Sequence, residues 1–508
     1  MKIQDYRREF AAYNSAIEQA RYLDHAGLQP SLYLDPVWDR YDDLFTRDAL
    51  EQLQQAWAEA PEHFETERAG RRALVCAARL GYLEKSSRNV SAELAHCEAT
   101  ARVSWMGETL PAREIPDLIA GEPVVSRRRE LAARMLDALD SCDDLRTALF
   151  AALSDAARRL GFDSLRALYV DLTGGVEDLV AAARNLLERA EAVYRAALAR
   201  ATTRYLPGVA FEDLTRADYF ALQRLPEFDR FFPAQRAASV YRTVMEDLGI
   251  QITRQANIGI DDEDRPRKKK RPAVFAINPP YEVRFVLNQL NGTRSYVELI
   301  QAAARAQVFG WTSQSMAARY PEFVYGPDEA TTAGYMALFG RLFQEPGWLG
   351  EHLGMEAGNV RRLTQTLALL ATYDLRRCCA ILSSSAGSYN AAGARSESTR
   401  LSRAASLTEA TFTRWSPAEC LLEPDEEFRA ATHLRAHLFA AGLEEHLRMR
   451  HGRRWWAKRA ARDELIDLWN TCSRYKVEEL ARLIGFGPLS IDLLIETMNE
   501  AMSGGEKD

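Results

Sequence analysis

The sequence contains no run of about 18 apolar residues, so no segment of it is expected to span a membrane. Its opening stretch, MKIQDYRREF, has no apolar core behind its charges, and we expect no secretory signal. It has no excess of positive charge. Its 65 Lys and Arg stand against 72 Asp and Glu, a net charge of -7. With the two signs interspersed, that balance argues against a general nucleic-acid partner. Cysteine is sparse, seven in 508 residues (Cys76, Cys97, Cys142, Cys378, Cys379, Cys420 and Cys472), with no CxxC and no regular spacing. An odd, irregular set of this kind predicts reduced thiols and a cytoplasmic location. Cys378 and Cys379 are adjacent, and neighbours on a helix point apart, so they are not read as a redox pair. Nucleophile-elbow, Walker and dinucleotide-binding glycine motifs are all missing. Histidine is missing over half the chain: none of the eight falls between His96 and His352. That gap excludes an imidazole-based metal or acid–base site anywhere in it.

What is present is a large helical protein. The chain is 47% hydrophobic and 27% charged, enough to bury a sizeable core in two or more domains or one large helical body. LRTALFAALSDAARRLGF from Leu145 and VEDLVAAARNLLERAEAVYRAALARA from Val176 repeat apolar residues at spacings of three and four, the pattern of amphipathic helices. DLTGG, Asp171 to Gly175, reads as the turn between two such helices. No repeat of fixed period is found. Residues 1–205 are therefore read as an N-terminal helical region and 206–508 as a second region.

Near Gly249 the texture changes. GIQITRQANIGI, PAVFAI (Pro272 to Ile277) and YEVRFVLN (Tyr281 to Asn288) are short, β-branched and partly alternating, as strands are. DDEDRPRKKKR, Asp261 to Arg271, sets acids directly beside bases and reads as an exposed, self-neutralising loop. Helical patterning resumes at Ser295. The Ser/Gly/Ala-rich stretch from Ser383 to Ser406 is expected to be a flexible loop. The fold class is mainly α with one small β-sheet.

The helix after the strands carries the functional question. In SYVELIQAAARAQVFGW, Ser295 and Glu298 have the spacing of a capping box, which predicts the helix start. Val297, Ile300, Ala304, Val308 and Trp311 form an apolar stripe. Gln301 and Arg305, four apart, share one face beside it. Two residues at this spacing, on a helix just after a strand pair, are where a zinc peptidase holds its two histidines. Between them it needs a Glu to deprotonate the metal-bound water.

PAVFAINPPYEVRFVLNQLNGTRSYVELIQAAARA, then PDEATTAGYMALFGRLFQEPGWL from Pro327, HLRAHLFAAGLEEHL from His433 and LWNTCSRY from Leu468 resemble successive motifs of one family. It is the oligoendopeptidase and thimet-oligopeptidase family, zinc peptidases of the gluzincin type, and the likeness is to a bacterial branch along most of the chain. The resemblance implies a multi-helical ellipsoid enclosing a peptide channel, with a small sheet next to the former active-site helix. Matched position by position, the first ligand histidine falls on Gln301 and the second on Arg305. The general-base Glu falls on Ala302, and the third-ligand Glu on Ala333. The resemblance therefore implies a catalytically inactive homologue, without zinc, whose channel would take a peptide or protein ligand. It would otherwise partner an active relative or a second copy. Glu329 and Tyr335 are candidate lining residues, and Glu329 or Glu298 a candidate partner for Arg305. Two other readings stay open: an active metallopeptidase with non-standard ligands, and a structural or assembly protein. His433 and His437 have a helical zinc spacing, but Leu434 stands where a general base would be needed, so they are read as ordinary helix residues.

Overall fold

The computed structural model describes residues 2–287, 291–388, 397–423 and 425–504. Helices dominate, and among the described residues there are five short strands: β1 (Arg102–Trp105), β2 (Glu108–Pro111), β3 (Ile258–Asp261), β4 (Ala273–Asn278) and β5 (Glu282–Val286). No helix among the described residues is long and apolar enough to cross a membrane. The chain forms two compact units. One is Met1–Tyr82, Phe228–Val360 and Arg435–Leu494; the other is Leu83–Glu227, Arg361–Leu434 and Ile495–Asp508. The units interleave along the chain, whereas the division expected near residue 205 is linear.

The first unit holds the three-stranded sheet, ordered β3-β5-β4. Central β5 runs parallel to β3, with Ile258 beside Val283 and Ile260 beside Phe285, and antiparallel to β4, with Val274 beside Phe285. Strand β5 lies within the stretch read as a strand from its β-branched patterning, and β3 and β4 each run one residue past theirs, to Asp261 and Asn278. Helix α1 (Ile3–His25) packs on β4 through Tyr22 against Phe275, and Ala26, Phe275, Ile277 and Val286 close a small core there. The charged segment after β3 neutralises itself. Asp261 accepts from Arg265 at 2.9 Å and Lys268 at 3.1 Å. Burial alone would raise the Asp261 carboxyl, but these two cations hold it below its ordinary value.

Helix α2 (Thr293–Gly310) follows β5. Its start differs from the expected capping box. The helix begins at Thr293, with Gly292 at φ 97° as its N-cap. Ser295 thus lies inside the first turn, and its hydroxyl bonds back to the Asn291 carbonyl at 3.1 Å. Glu298 pairs with Arg294 at 2.9 Å. The buried side is broader than the predicted stripe. Tyr296, Ile300, Ala303, Ala304 and Ala306 are wholly buried, while Val297 and Trp311 are half-buried. Helix α3 (Ala330–Gly340) packs against α2.

The second unit is built from helices such as Asp143–Arg159, Leu165–Thr173 and Glu177–Arg189. The turn read at DLTGG is present, with Gly174 at φ 81° and Gly175 at φ 108° between two of them. The reading of residues 1–205 as helix throughout is corrected at β1 and β2, an antiparallel hairpin turning at Met106 and Gly107. Both turn residues have positive φ, the geometry that suits tight hairpins. Val103 on the hairpin packs with Ile115, Leu131 and Met135. The expectation of reduced thiols throughout is also corrected. Cys97 and Cys142 are joined by a disulfide, 45 residues apart in sequence, a pairing that irregular spacing conceals. With it the composition argument for a cytoplasmic location loses its support. The stretch 383–406 is largely helical where described. Helix Ala357–Ser388 enters it and helix Glu397–Thr411 leaves it, the latter burying Ala404, Leu407 and Ala410 at a spacing of three. The remaining residues of the expected loop, 389–396, lie outside the described residues.

Candidate functional site

The sheet, α2 and α3 set the stage for the residues singled out above. Gln301 and Arg305 project from the same face of α2, both half-buried. Ala302 between them is buried. Ala333 is half-buried in the first turn of α3, and Glu329 is its N-cap. The structure brings the two helices together at two points. Arg305 reaches Glu329 at the start of α3, Nη2 to Oε1 3.7 Å. Gln301 lies against Gly340 at its end: a Cβ built on Gly340 would stand 2.8 Å from Gln301 Nε2. A larger residue at Gly340 would push the Gln301 side chain aside.

The ion pair between Arg305 and Glu329 is loose. At 3.7 Å it is beyond hydrogen-bond length, and the two side chains are 28% and 65% exposed. Pairs of this kind contribute about 0–1 kcal/mol. The Arg305 guanidinium also lies over the Phe309 ring, 5.1 Å from its centroid.

The start of α3 is held by a much tighter device. Buried Arg435, on helix α4 (Arg429–His451), donates to both Asp328 oxygens at 3.0 and 3.1 Å and both Glu478 oxygens at 2.6 and 2.8 Å. Asp328 in turn accepts from the Ala330 amide at 3.1 Å, capping α3. Burial would raise both carboxyls, yet the guanidinium between them holds both below their ordinary values. Sequence reasoning missed this clamp. Its members are 107 and 43 residues apart, and no local signal links them.

Tyr335, expected as a lining residue, is instead wholly buried. Its ring stands edge-on to Phe439, centroids 5.6 Å apart, and to Trp469 on helix α5 (Arg459–Trp469), 6.3 Å away. Burial drives its phenol far above the ordinary value. It is a core residue because the neighbouring Gly334 lets Phe439 press against α3: a Cβ there would meet the ring at 2.6 Å.

The histidines lie elsewhere. Burial, with the charge of Arg377 added, pushes the His433 imidazole down to about 4. His446 and His451 hydrogen-bond the two oxygens of one carboxylate, Glu464, at 2.7 and 2.8 Å. Among the described residues, no group of three or more His, Cys, Asp and Glu is arranged to hold a metal ion.

Zinc does not fit the residues on α2 and α3. The metal takes imidazole, thiolate or carboxylate ligands. Gln301 offers a neutral amide, Ala302 and Ala333 offer methyl groups, and Arg305 is a permanent cation that repels a divalent ion. What this face of α2 presents instead is a pair of hydrogen-bond donors with net positive charge.

No protein-family model and no curated protein matches this sequence. In fold, however, the chain is similar to solved peptidases. One is an oligoendopeptidase F from Bacillus anthracis, with TM-score 0.65 and 13% identity, covering 96% of this chain and 84% of that one. Another is an M32 carboxypeptidase from Deinococcus radiodurans, with TM-score 0.57 and 11% identity, covering 99% of each. A third is metallocarboxypeptidase 1 of Trypanosoma cruzi, with TM-score 0.58 and 13% identity, covering 98% of each. The chain therefore has the mostly helical fold, with a small sheet, of these metallopeptidases. At such identities the likeness is one of fold, and activity has to be argued from the site.

Proposed function

We propose that this chain is a metallopeptidase homologue that does not catalyse, and that it uses a peptidase body to bind a peptide or a peptide-like segment of a partner protein. One observation carries the proposal. Gln301, Ala302, Arg305 and Ala333, the residues matched to the zinc ligands and the general base, supply neither a metal ligand set nor a titratable base. Hydrolysis by a zinc peptidase needs a metal to polarise the carbonyl and a carboxylate to take the proton from water. Ala302 takes no proton, and the fixed charge of Arg305 opposes a divalent cation. The peptidase-like fold then leaves binding as the function it serves.

The test uses the purified full chain and a mixture of quenched-fluorescent peptides, assayed with zinc added, with chelator added and with neither. The expected result is no cleavage in any of the three, together with retention of peptides by the protein in affinity selection. Cleavage abolished by chelator would contradict the proposal.

A further inference from the structure

In the second unit, the disulfide of Cys97 with Cys142 closes a loop that has a core of its own. Cys97 lies in the last turn of the helix Glu65–Thr100, and Cys142 directly precedes the helix Asp143–Arg159. Between them stand hairpin β1–β2 and the helices Ile115–Gly121 and Val125–Asp140. These share a small apolar core of Val103, Ala112, Ile115, Ile119, Leu131 and Met135. A second anchorage is the helix Arg216–Arg224. Its Ala217 joins that core, and its Asp218 accepts from Arg128 and from Arg129, each at 2.7 Å. The bond is thus the covalent neck of a small lobe.

The two sulfurs are unequally placed. Cys142 is wholly buried, whereas Cys97 is half-buried. Access decides which sulfur an incoming thiolate reaches, so attack falls on Cys97 and Cys142 is the leaving group. The two ends also stay together without the bond. Glu98, next to Cys97, accepts from Arg146, one turn after Cys142, at 2.7 Å, and Arg146 donates to the Leu139 carbonyl at 3.0 Å. A broken bond is thereby held in register to re-form. The other five cysteines are all buried. Burial pushes the Cys378 thiol up to about 12 and those of Cys420 and Cys472 to about 11, so they do not compete as nucleophiles.

We propose that the Cys97–Cys142 bond is a reversible redox switch for this lobe, opened by a dithiol and closed again by that dithiol's oxidised form. One thiolate of the dithiol forms a mixed disulfide with Cys97, and Cys142 Sγ leaves with the bonding pair and takes up a proton. The second thiol then attacks the mixed disulfide, releasing Cys97 as a thiol and the reagent as its own disulfide. Two electrons and two protons pass to the protein. In the reduced form the lobe keeps the Asp218 and Glu98 contacts but loses its covalent neck, and it opens more often.

The test treats the native full chain with dithiothreitol, without denaturant. Thiols are counted by alkylation and mass spectrometry, and amide hydrogen exchange is followed segment by segment. Cys97 and Cys142 are expected to become alkylatable while the five buried cysteines stay protected. Exchange over residues 102–140 is expected to rise roughly tenfold or more, and exchange in the helix Glu177–Arg189 to stay as it was. Oxidised dithiothreitol should restore both the bond and the slow exchange. Glu98→Gln, at a position 42% exposed, is expected to slow that re-formation about threefold by loosening the register. The double variant Cys97→Ser, Cys142→Ser should exchange fast over 102–140 with or without dithiol. The wild-type measurement stands even where that variant does not fold. A bond that resists the dithiol until the whole protein unfolds would make it a fixed staple and overturn the switch. So would reduction that leaves exchange over 102–140 unchanged, or reduction that oxidised dithiothreitol fails to reverse.

Discussion

Arg305 stands 3.7 Å from Glu329, near enough for attraction and too far for a hydrogen bond. The pair links helices α2 and α3 at the place where the resemblance would put a second ligand histidine near a third-ligand glutamate. A metal centre at this place would need anionic or neutral ligands and would carry the positive charge itself. Here the protein carries that charge on a side chain that cannot lose its proton.

If Gln301, Ala302, Arg305 and Ala333 do occupy the ligand and base positions, restoring the set should restore the metal. The variant Gln301→His, Ala302→Glu, Arg305→His, Ala333→Glu is expected to bind about one zinc per chain with the affinity typical of three protein ligands, measured by calorimetry on metal-free protein. A folded variant that takes up no zinc would show that these four positions do not converge.

The clamp of Arg435 on Asp328 and Glu478 fixes the start of α3. Arg435→Ala leaves two partly buried carboxylates, 30% and 40% exposed, without their cation and is expected to cost about 1–3 kcal/mol in chemical denaturation, less than breaking a fully buried pair. The same clamp predicts acid sensitivity. Both carboxyls titrate lower in the folded state than in the unfolded chain. Their contribution is therefore complete above the ordinary carboxyl range near pH 4 and is lost as pH falls through the depressed folded values. Arg435→Ala should flatten that acid limb of the stability profile.

His433 acts in a higher pH window and through the opposite charge. Its unfolded imidazole takes up a proton near pH 6.5, while the folded one does so only at about 4. Between those values the unfolded chain binds more protons, so stability falls as pH falls. A loss of about 1–3 kcal/mol from this residue is expected between pH 6.5 and 4, and His433→Gln should remove most of it in denaturation curves taken across that range.

Tyr335 separates core from site. Its hydroxyl is buried and has no hydrogen-bond partner among the described residues. Removing an unsatisfied buried hydroxyl relieves a desolvation cost, so Tyr335→Phe is expected to be neutral or to stabilise by up to about 1 kcal/mol. Peptide retention should be unaffected. A substantial loss of stability would mean that the hydroxyl is satisfied after all.

The sequence made part of this legible. The periodicity around Ile300 and Ala304 announced α2, and the β-branched runs announced β3, β4 and β5, because burial of one face leaves a local pattern. The gap in histidines was visible without any structure and bears most directly on catalysis. What stayed hidden depends on contacts distant in sequence. The disulfide of Cys97 with Cys142 and the clamp of Arg435 have no local signature. The resemblance offered Tyr335 as a lining residue, whereas Gly334 lets Phe439 close over it. The capping box at Ser295 and Glu298 had the right residues three positions too late, since Gly292 with its positive φ is already the N-cap. The hairpin at Arg102 to Pro111 was lost among strong helix formers on either side.

The most direct measurement is metal content, by mass spectrometry on untagged full-length protein purified without chelator. Zinc well below one equivalent per chain, unchanged after incubation with excess zinc and desalting, is the predicted result. Stoichiometric zinc that survives desalting would contradict the account, and its persistence or loss in a His446→Ala, His451→Ala variant would show whether the histidines beside Glu464 hold it.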